Sequence, residues 1–544
     1  MAMTEVAPDV GSASLKQIST NLPNIQGNVF GGFFKDHQVF LFLRLPDPKQ
    51  APGQARAWLT DLIDDIATAE EVIAFNNLFK LAKNRHHGRE GVVKATWTNV
   101  AFTFKGLKAL DVPPEELSFP EEFAKGMAAR AAEIGDVDKS EPAKWIPPLR
   151  VKDPTKLDDP NIPDAILLVA SDDPEDLEAE VARLAEALDD HGIETLYRQK
   201  GESRSGIENG ENQRGHEHFG FDDGVSQPGV RDDRVTPPGI DADTGLPGQD
   251  RLWPGEWVLG YPKQTGKENK DQSPDKNPGH IANFGEPDWA NDGSYLVFRR
   301  LHQDVKGFRD FVDHQAKVEG ITSSVMGAKI VGRYTSGCPL ELADGQADNF
   351  DPTKVDPSKA DPTMLNPERI NAFDYESDNP LRDDKDGLRV PRAAHIRKVY
   401  PRNERPPTEA AAEIRRILRR GIQFGKSFDR HADPDSPTGA NAAFPDDRGL
   451  CFLCYQSSIK DKFEFLMRRW VDNESFPQVV NGVKDGFDLV ISQTQDPRHF
   501  NLPGGKVPAV SAPARWVITS GGGYFFQPSI TGLRHLAGLD KDDR

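Results

Sequence analysis

Residues 165–190 read AILLVASDDPEDLEAEVARLAEALDD, a strand that runs straight into a helix. Ala165 to Ala170 is an unbroken apolar run of strand length, as a buried strand requires. Asp173 is placed to cap the helix N-terminus, and Pro174 falls at the first helical position, where no N–H is needed. Leu177, Val181, Leu184, Ala185 and Leu188 then share one helical face. Residues 193–200 read as a further strand. Upstream, HQVFLFLRL (37–45) predicts a strand, Gln54 to Ala67 a helix, and Val92 to Phe104 a second strand.

The second half repeats the plan. GSYLVFRRL (293–301) predicts a strand followed by a helix from about Asp304 to Lys317. GLCFLCYQ (449–456) predicts a strand followed by SSIKDKFEFLMRRWV, where Ile459, Phe463, Leu466, Met467 and Trp470 repeat the relative spacing of the five earlier apolar positions. Any amphipathic helix shows such spacing, so it adds little alone. ARWVITSGGGYFF (514–526) reads as a final strand and turn. The repetition predicts a duplicated α+β unit, each copy an antiparallel sheet with helices on one face. The expected organisation is a disordered tail over 1–20, an N-terminal domain over 21–210, a C-terminal domain over 211–535 and a charged tail over 536–544. Polar stretches at 232–292 and 343–390 are too long for ordinary connections and are read as partial cover for a site; a shorter one spans about 130–163.

The chain has 544 residues, 37% hydrophobic, with 43 prolines and 47 glycines, so much of it must be loop. Its net charge of −19 disfavours nucleic acid and anionic membranes as partners. No apolar stretch is long enough to span a bilayer and the N-terminus lacks a secretory pattern, so the expected location is cytoplasmic. Of the cysteines Cys338, Cys451 and Cys454, the last two form a C-x-x-C, but they lie in an apolar strand and read as buried small hydrophobes.

Chemistry-bearing residues gather in three places. In GFDDGVSQP (220–228), Asp223 stands between Gly220 and Gly224, which permit close approach of another surface. His395 lies in AAHIRKVYPR, with Arg397, Lys398, Arg402 and Arg405 near it as cations for carboxylate groups. RRILRRGIQFG carries four arginines, Arg419 among them; such a run usually forms a solvated face, but the apolar residues Ile414, Ile417, Leu418 and Ile422 would bury one side, so at least one arginine could turn inward toward an anion. An acid, a histidine and an arginine are the parts that hold a haem iron and split a peroxide on it.

Together with NIQGNVFGGF (24–33), GRYTSGCPL (332–340), RGLCFLCYQSS (448–458) and SGGGYFFQPS (520–529), these motifs run in order along nearly the whole chain. The set resembles the longer subfamily of dye-decolourising peroxidases. The resemblance implies an α+β fold of two tandem ferredoxin-like halves, with one haem b per chain in the C-terminal half. It implies His395 as proximal iron ligand, Asp223 as distal acid–base, Arg419 as distal arginine and Arg402 as a propionate-binding arginine. Leu450 and Phe452 would line the distal haem face, and Asp488 in GFDLVIS would accept the N–H of the proximal histidine. Tyr400 stands where the family often has asparagine, and Gly421 where some members carry a polar distal residue. The implied reaction reduces hydrogen peroxide and oxidises dyes, phenols or related aromatic electron donors by one-electron steps. Tyr455 and Trp470 are either relays to the surface or core aromatics. The rival readings are a haem-binding protein for storage, sensing or iron release, and an acidic scaffold without cofactor. Oligomeric state stays open.

Overall fold

The computed structural model describes residues 20–85, 93–208, 211–232, 234–235, 245–267, 278–343, 370–380, 383–404, 407–429, 447–477, 479–480, 483–494, 497–507 and 509–539. In the first half, strands β1 (His37–Arg44), β2 (Thr96–Phe102), β3 (Ala165–Ser171) and β4 (Glu194–Glu202) alternate with helices α1 (Gln54–Leu62), α2 (Ala69–Arg85), α3 (Phe104–Ala109), α4 (Glu121–Ala129) and α5 (Pro174–Asp190). The second half supplies β5 (Ser294–Gln303), α6 (Val305–Glu319), α7 (Ser323–Val331), α8 (His395–Val399), α9 (Glu409–Glu413), β6 (Leu418–Arg419), β7 (Ile422–Phe424), β8 (Gly449–Gln456), β9 (Val517–Gln527) and α10 (Ile530–Ala537). Asp173 caps α5 as expected: its Oδ1 accepts the backbone N–H groups of Glu175 and Asp176 at 2.8 and 3.3 Å.

The two halves share one nine-stranded sheet in the order β6-β8-β5-β9-β2-β3-β1-β4, with β7 also on β8. Every pairing in it is antiparallel. The sheet curls on itself. Phe298 of β5 packs against Phe40 and Phe42 of β1, with ring centres 5.4 and 5.0 Å apart. Gly201 of β4 abuts Ile422 of β7, where a Cβ would stand 2.5 Å from Cγ2. Alternation then sorts the side chains. Phe40, Phe42, Ile166, Leu168, Phe298 and Phe525 fill the inner face, together with Ile25, Val29 and Phe30 of the N-terminal segment. Val39, Leu41 and Leu43 face outward and meet Leu177, Val181, Leu184 and Leu188 of α5. Helix α5 therefore packs on the outer face, while Ala69 and Val72 of α2 join the inner cluster.

Several expectations need correction. Gly521, Gly522 and Gly523 do not make a turn; they lie within β9, because a Cβ on Gly521 would meet Leu149 at 2.6 Å and one on Gly522 would meet Met127 Sδ at 2.6 Å. The helix of 459–471 is wound as a π-helix over Lys460–Glu464 and Leu466–Val471, yet all five apolar positions are buried. Helix α10 runs through the expected boundary at 535/536; Ser529 caps it, Gly538 ends it in a left-handed conformation, and Leu536 is core. The expected disorder of 1–19 lies outside the described residues, but Thr20 is buried and bonds Asp232 through both its N–H and its hydroxyl. Cys451 and Cys454 are buried, free and in separate core clusters on opposite faces of β8, so they form no dithiol. No described helix is long and apolar enough to cross a membrane.

Candidate active site

The loop carrying Asp223 is held from below by a half-buried acid. Glu217 accepts the backbone N–H groups of Phe219 and Phe221, both at 2.8 Å, and Gln303 also donates to it. Burial pushes the Glu217 carboxyl upward, and the nearby Asp223 charge adds to that. Gly220 and Gly224 have φ of 110° and 81°, which a side chain would strain, so the turn needs both glycines. Asp223 Oδ1 accepts the N–H of Gly224 at 2.7 Å and Nη1 of Arg419 at 2.8 Å.

Strand alternation decides which arginine of RRILRRG turns to this acid. Leu418 and Arg419 form β6, and Gln227 brackets the Arg419 backbone with its side-chain amide at 3.2 and 3.3 Å. Arg420, one residue on, faces the other way and donates to the carbonyls of Asn28, Val29 and Phe30. Arg416 pairs with Asp250 at 3.2 Å, and Arg415 donates to the carbonyl of Asp461.

His395 opens α8. Its Nδ1 lies 2.8 Å from Oδ2 of Asp488, a fully buried carboxylate whose Oδ1 accepts the N–H groups of Val490 and Ile491 at 2.8 and 3.1 Å. Burial alone would push this carboxyl up; the facing imidazole and the two N–H groups outweigh it and hold it below its ordinary value. A carboxylate acceptor places the ring proton on Nδ1 and leaves Nε2 with a free lone pair. Nε2 has no hydrogen bond among the described residues.

These groups meet in one cavity of about 270 Å³. Asp223, Arg419, His395, Arg402, Leu450 and Phe452 all line it. Leu450 and Phe452 sit two apart on β8, so the pleat presents both to the same side. Asp488 stands behind His395 rather than in the wall. Two of the cations near His395 do not reach the cavity. Arg397 is bound to Glu404 and Asp384, and Lys398 donates to the carbonyls of Trp470, Asn473 and Phe476. Arg405 lies outside the described residues. The motif GRYTSGCPL supplies a cation that sequence reasoning missed: Arg333, which lines the cavity and is buried. Arg333 donates to the carbonyls of Gly337 and Ile370 and to Asn371 Oδ1, and Arg402 donates to the carbonyl of Asn371. Neither has a carboxylate partner among the described residues. Burial without such a partner lowers the Arg333 guanidinium to about 10. Asn371 belongs to the stretch 343–390, and Asp250 of 232–292 accepts the Tyr400 hydroxyl at 2.6 Å, so described parts of both insertions shape this site. A Cβ on Gly421 would lie 3.0 Å from the carbonyl of Cys451, which leaves little room for a larger residue. Tyr455 and Trp470 are not surface residues: Tyr455 bonds Asn28 and Gln527 in the core, and Trp470 stacks on Phe476 at 4.9 Å.

The cavity thus joins a carboxylate-backed imidazole to an acid–guanidinium pair. Residues 24–205 match the family model for the DyP dimeric alpha+beta barrel domain, and 260–482 match that for the C-terminal part of Dyp-type peroxidases. Over 541 residues the chain is 30% identical to the dye-decolorizing peroxidase msp1 of Mycetinis scorodonius, covering 97% of this chain and 90% of the relative. A solved mutant of the dye-decolorizing peroxidase from Pleurotus ostreatus is 30% identical and superposes with a TM-score of 0.74 over 95% of this chain and 99% of that one. Another solved structure, of a dye-decolorizing peroxidase with an engineered heme pocket, is 26% identical with a TM-score of 0.71 over 95% of this chain and all of that one. The chain belongs to the dye-decolourising peroxidase family.

Proposed function

We propose that this chain binds one haem b in the 270 Å³ cavity, reduces hydrogen peroxide there, and oxidises dyes, phenols or related aromatic donors by one-electron steps. The observation that carries the reading is the convergence of His395, Asp223, Arg419, Arg333 and Arg402 on that one cavity. The residues fit the group: an imidazole with a free Nε2 suits iron, and two arginines without carboxylate partners suit a pair of propionates. The apolar walls, Leu450 and Phe452 among them, suit the porphyrin face.

Haem held there by His395, Arg333 and Arg402 would supply iron and the capacity for one-electron chemistry. The protein supplies the rest. Asp488 fixes the tautomer of His395 and raises the basicity of Nε2. Asp223 Oδ2, which accepts no hydrogen bond among the described residues, takes a proton from peroxide and returns it to the departing oxygen. Such a shuttle contributes about 10²–10⁴ in rate. Arg419 holds the Asp223 carboxylate through Nη1 and presents positive charge where the O–O bond gains negative charge. Glu217 positions the turn on which Asp223 stands. Leu450 and Phe452 keep bulky donors out of the cavity, so those must be oxidised from outside it. The carboxylate–guanidinium pair favours catalysis over storage, sensing or iron release. The test is peroxide-dependent oxidation of a dye by Asp223→Ala and Arg419→Leu proteins that still bind haem. The expected result is a fall of about 10² or more in kcat/KM for Asp223→Ala. Parent-like turnover by both variants would remove this pair from the reaction.

A further inference from the structure

A second cavity, of about 170 Å³, lies in the first half of the chain, against strand β9. Its walls include Phe104, Phe123, Met127, Trp145, Leu149 and Tyr524. Two glycines keep it open. Gly522 of β9 lines it, and a Cβ there would meet Met127 Sδ at 2.6 Å. Gly126 breaks α4 with φ 74° and ψ 165°, and nothing stands within 4 Å of where its Cβ would be. A dry apolar cavity of about 150 Å³ accepts benzene, so this one is of a size for a single ring. Aromatic walls favour an aromatic occupant through edge and face contacts.

The charges at this cavity are asymmetric. Lys105, Lys108 and Lys125 line it, against one acid, Asp158. Lys105 bonds the carbonyl of Ile162 and pairs with Asp164 at 3.3 Å, and Lys125 pairs with Glu121 at 2.5 Å. Lys108 is exposed and has no ion pair among the described residues; its contact is the Phe104 ring at 4.7 Å. The Tyr524 hydroxyl is already committed to Glu464 at 3.1 Å, and Glu464 is held by Arg130 through two bonds of 2.6 Å. The wall therefore offers rings rather than acceptors, and the rim offers a cation.

We propose that this second cavity binds small single-ring aromatic anions, such as phenolic sulfonates, with the ring between Phe123 and Tyr524 and the anionic group toward Lys108. Two rings in contact link such a ligand to the first cavity: Tyr524 lines the second, and Phe463, which meets it edge-on at 6.2 Å, lines the first.

The test is calorimetric titration of the full-length, haem-loaded protein with 4-hydroxybenzenesulfonate, phenol and tyramine, with the difference in tryptophan fluorescence between the haem-free parent and Trp145→Phe reporting location. The expected result is one sulfonate site, tighter than phenol, that quenches Trp145. Combining Lys108→Glu with Lys125→Glu weakens the sulfonate about tenfold, the order of a charge-assisted contact, and strengthens tyramine. Gly522→Val, which fills the cavity, abolishes binding. No sulfonate binding to the parent, or equal binding to parent and charge-reversed protein, overturns the proposal. So does loss of binding in Arg419→Leu, which would place the ligand in the first cavity. The titration also reads out on protein that takes up no haem, a result that would sink the proposed function but not this site.

Discussion

Replacing Asp488 with asparagine removes a charge without changing volume. The carboxylate is fully buried and accepts three hydrogen bonds, two on Oδ1 from Val490 and Ile491 and one on Oδ2 from His395. Asparagine satisfies the two backbone donors only if its carbonyl oxygen takes the Oδ1 position. Its amide N–H then points at Nδ1 of His395, which must become an acceptor. The ring proton moves to Nε2, and the lone pair facing the cavity is lost. A hydrogen bond to a charged group contributes about 1.5–3 kcal/mol and a neutral one about 0.5–1.5, so the substitution costs roughly 1–1.5 kcal/mol before the tautomer change is counted. That alone is about tenfold in an equilibrium constant, and supporting partners of metal-binding histidines typically contribute 10- to 100-fold. The assay is titration of the protein with haemin, followed by Soret absorbance, alongside thermal unfolding to show that the fold survives. Haem affinity within twofold of the parent, with an unchanged spectrum, would refute the assignment of Asp488 as the group that orients His395.

Three further outcomes follow from the same geometry. Burial raises Asp472 from its ordinary value of 3.8 to about 6. The folded state then binds more protons than the unfolded chain between those values, so stability falls as pH rises from about 4 to 6, by about 3 kcal/mol in all. Asp472→Asn should flatten this slope and raise Tm at pH 7.5 more than at pH 4; parallel Tm curves for parent and variant would count against it. Arg397→Met leaves Asp384 buried without its guanidinium and Glu404 with Arg392 alone, and should cost about 3–5 kcal/mol, measured by denaturant unfolding; a loss under about 1 kcal/mol would contradict the clamp. The thiols of Cys451 and Cys454 should resist a thiol-specific reagent in the native protein, since both are buried and burial pushes the Cys451 thiol up to about 12; rapid labelling without unfolding would overturn their reading as core residues.

Local signals made some elements legible and left others hidden. Helix α5 was readable because its cap, first-turn proline and apolar stripe all lie within eighteen residues. Helix α2 was not, because Leu78 and Leu81 point to solvent and blur its periodicity. The glycines of β9 read locally as a turn, and only packing against Leu149 and Met127 shows why a strand needs them. At the site, motif resemblance located Asp223, His395 and Arg419. No spacing rule could have joined Asp488 to His395, 93 positions apart, and that pairing came from the resemblance alone. Arg333 was hidden because a lone arginine in a turn-rich motif gives no sign of burial. Arg397 and Lys398 misled for the opposite reason: cations beside a candidate ligand look like partners for the ligand's group until the fold shows them bound elsewhere.

The most direct test of the central claim is an absorption titration of the full-length chain and of His395→Ala with haemin, followed by one equivalent of hydrogen peroxide. The account predicts one haem per chain, a Soret band that changes on adding peroxide and recovers with an aromatic donor, and loss of tight binding in the variant. Uptake by both proteins with equal affinity and identical spectra, or no uptake by the parent, would contradict it.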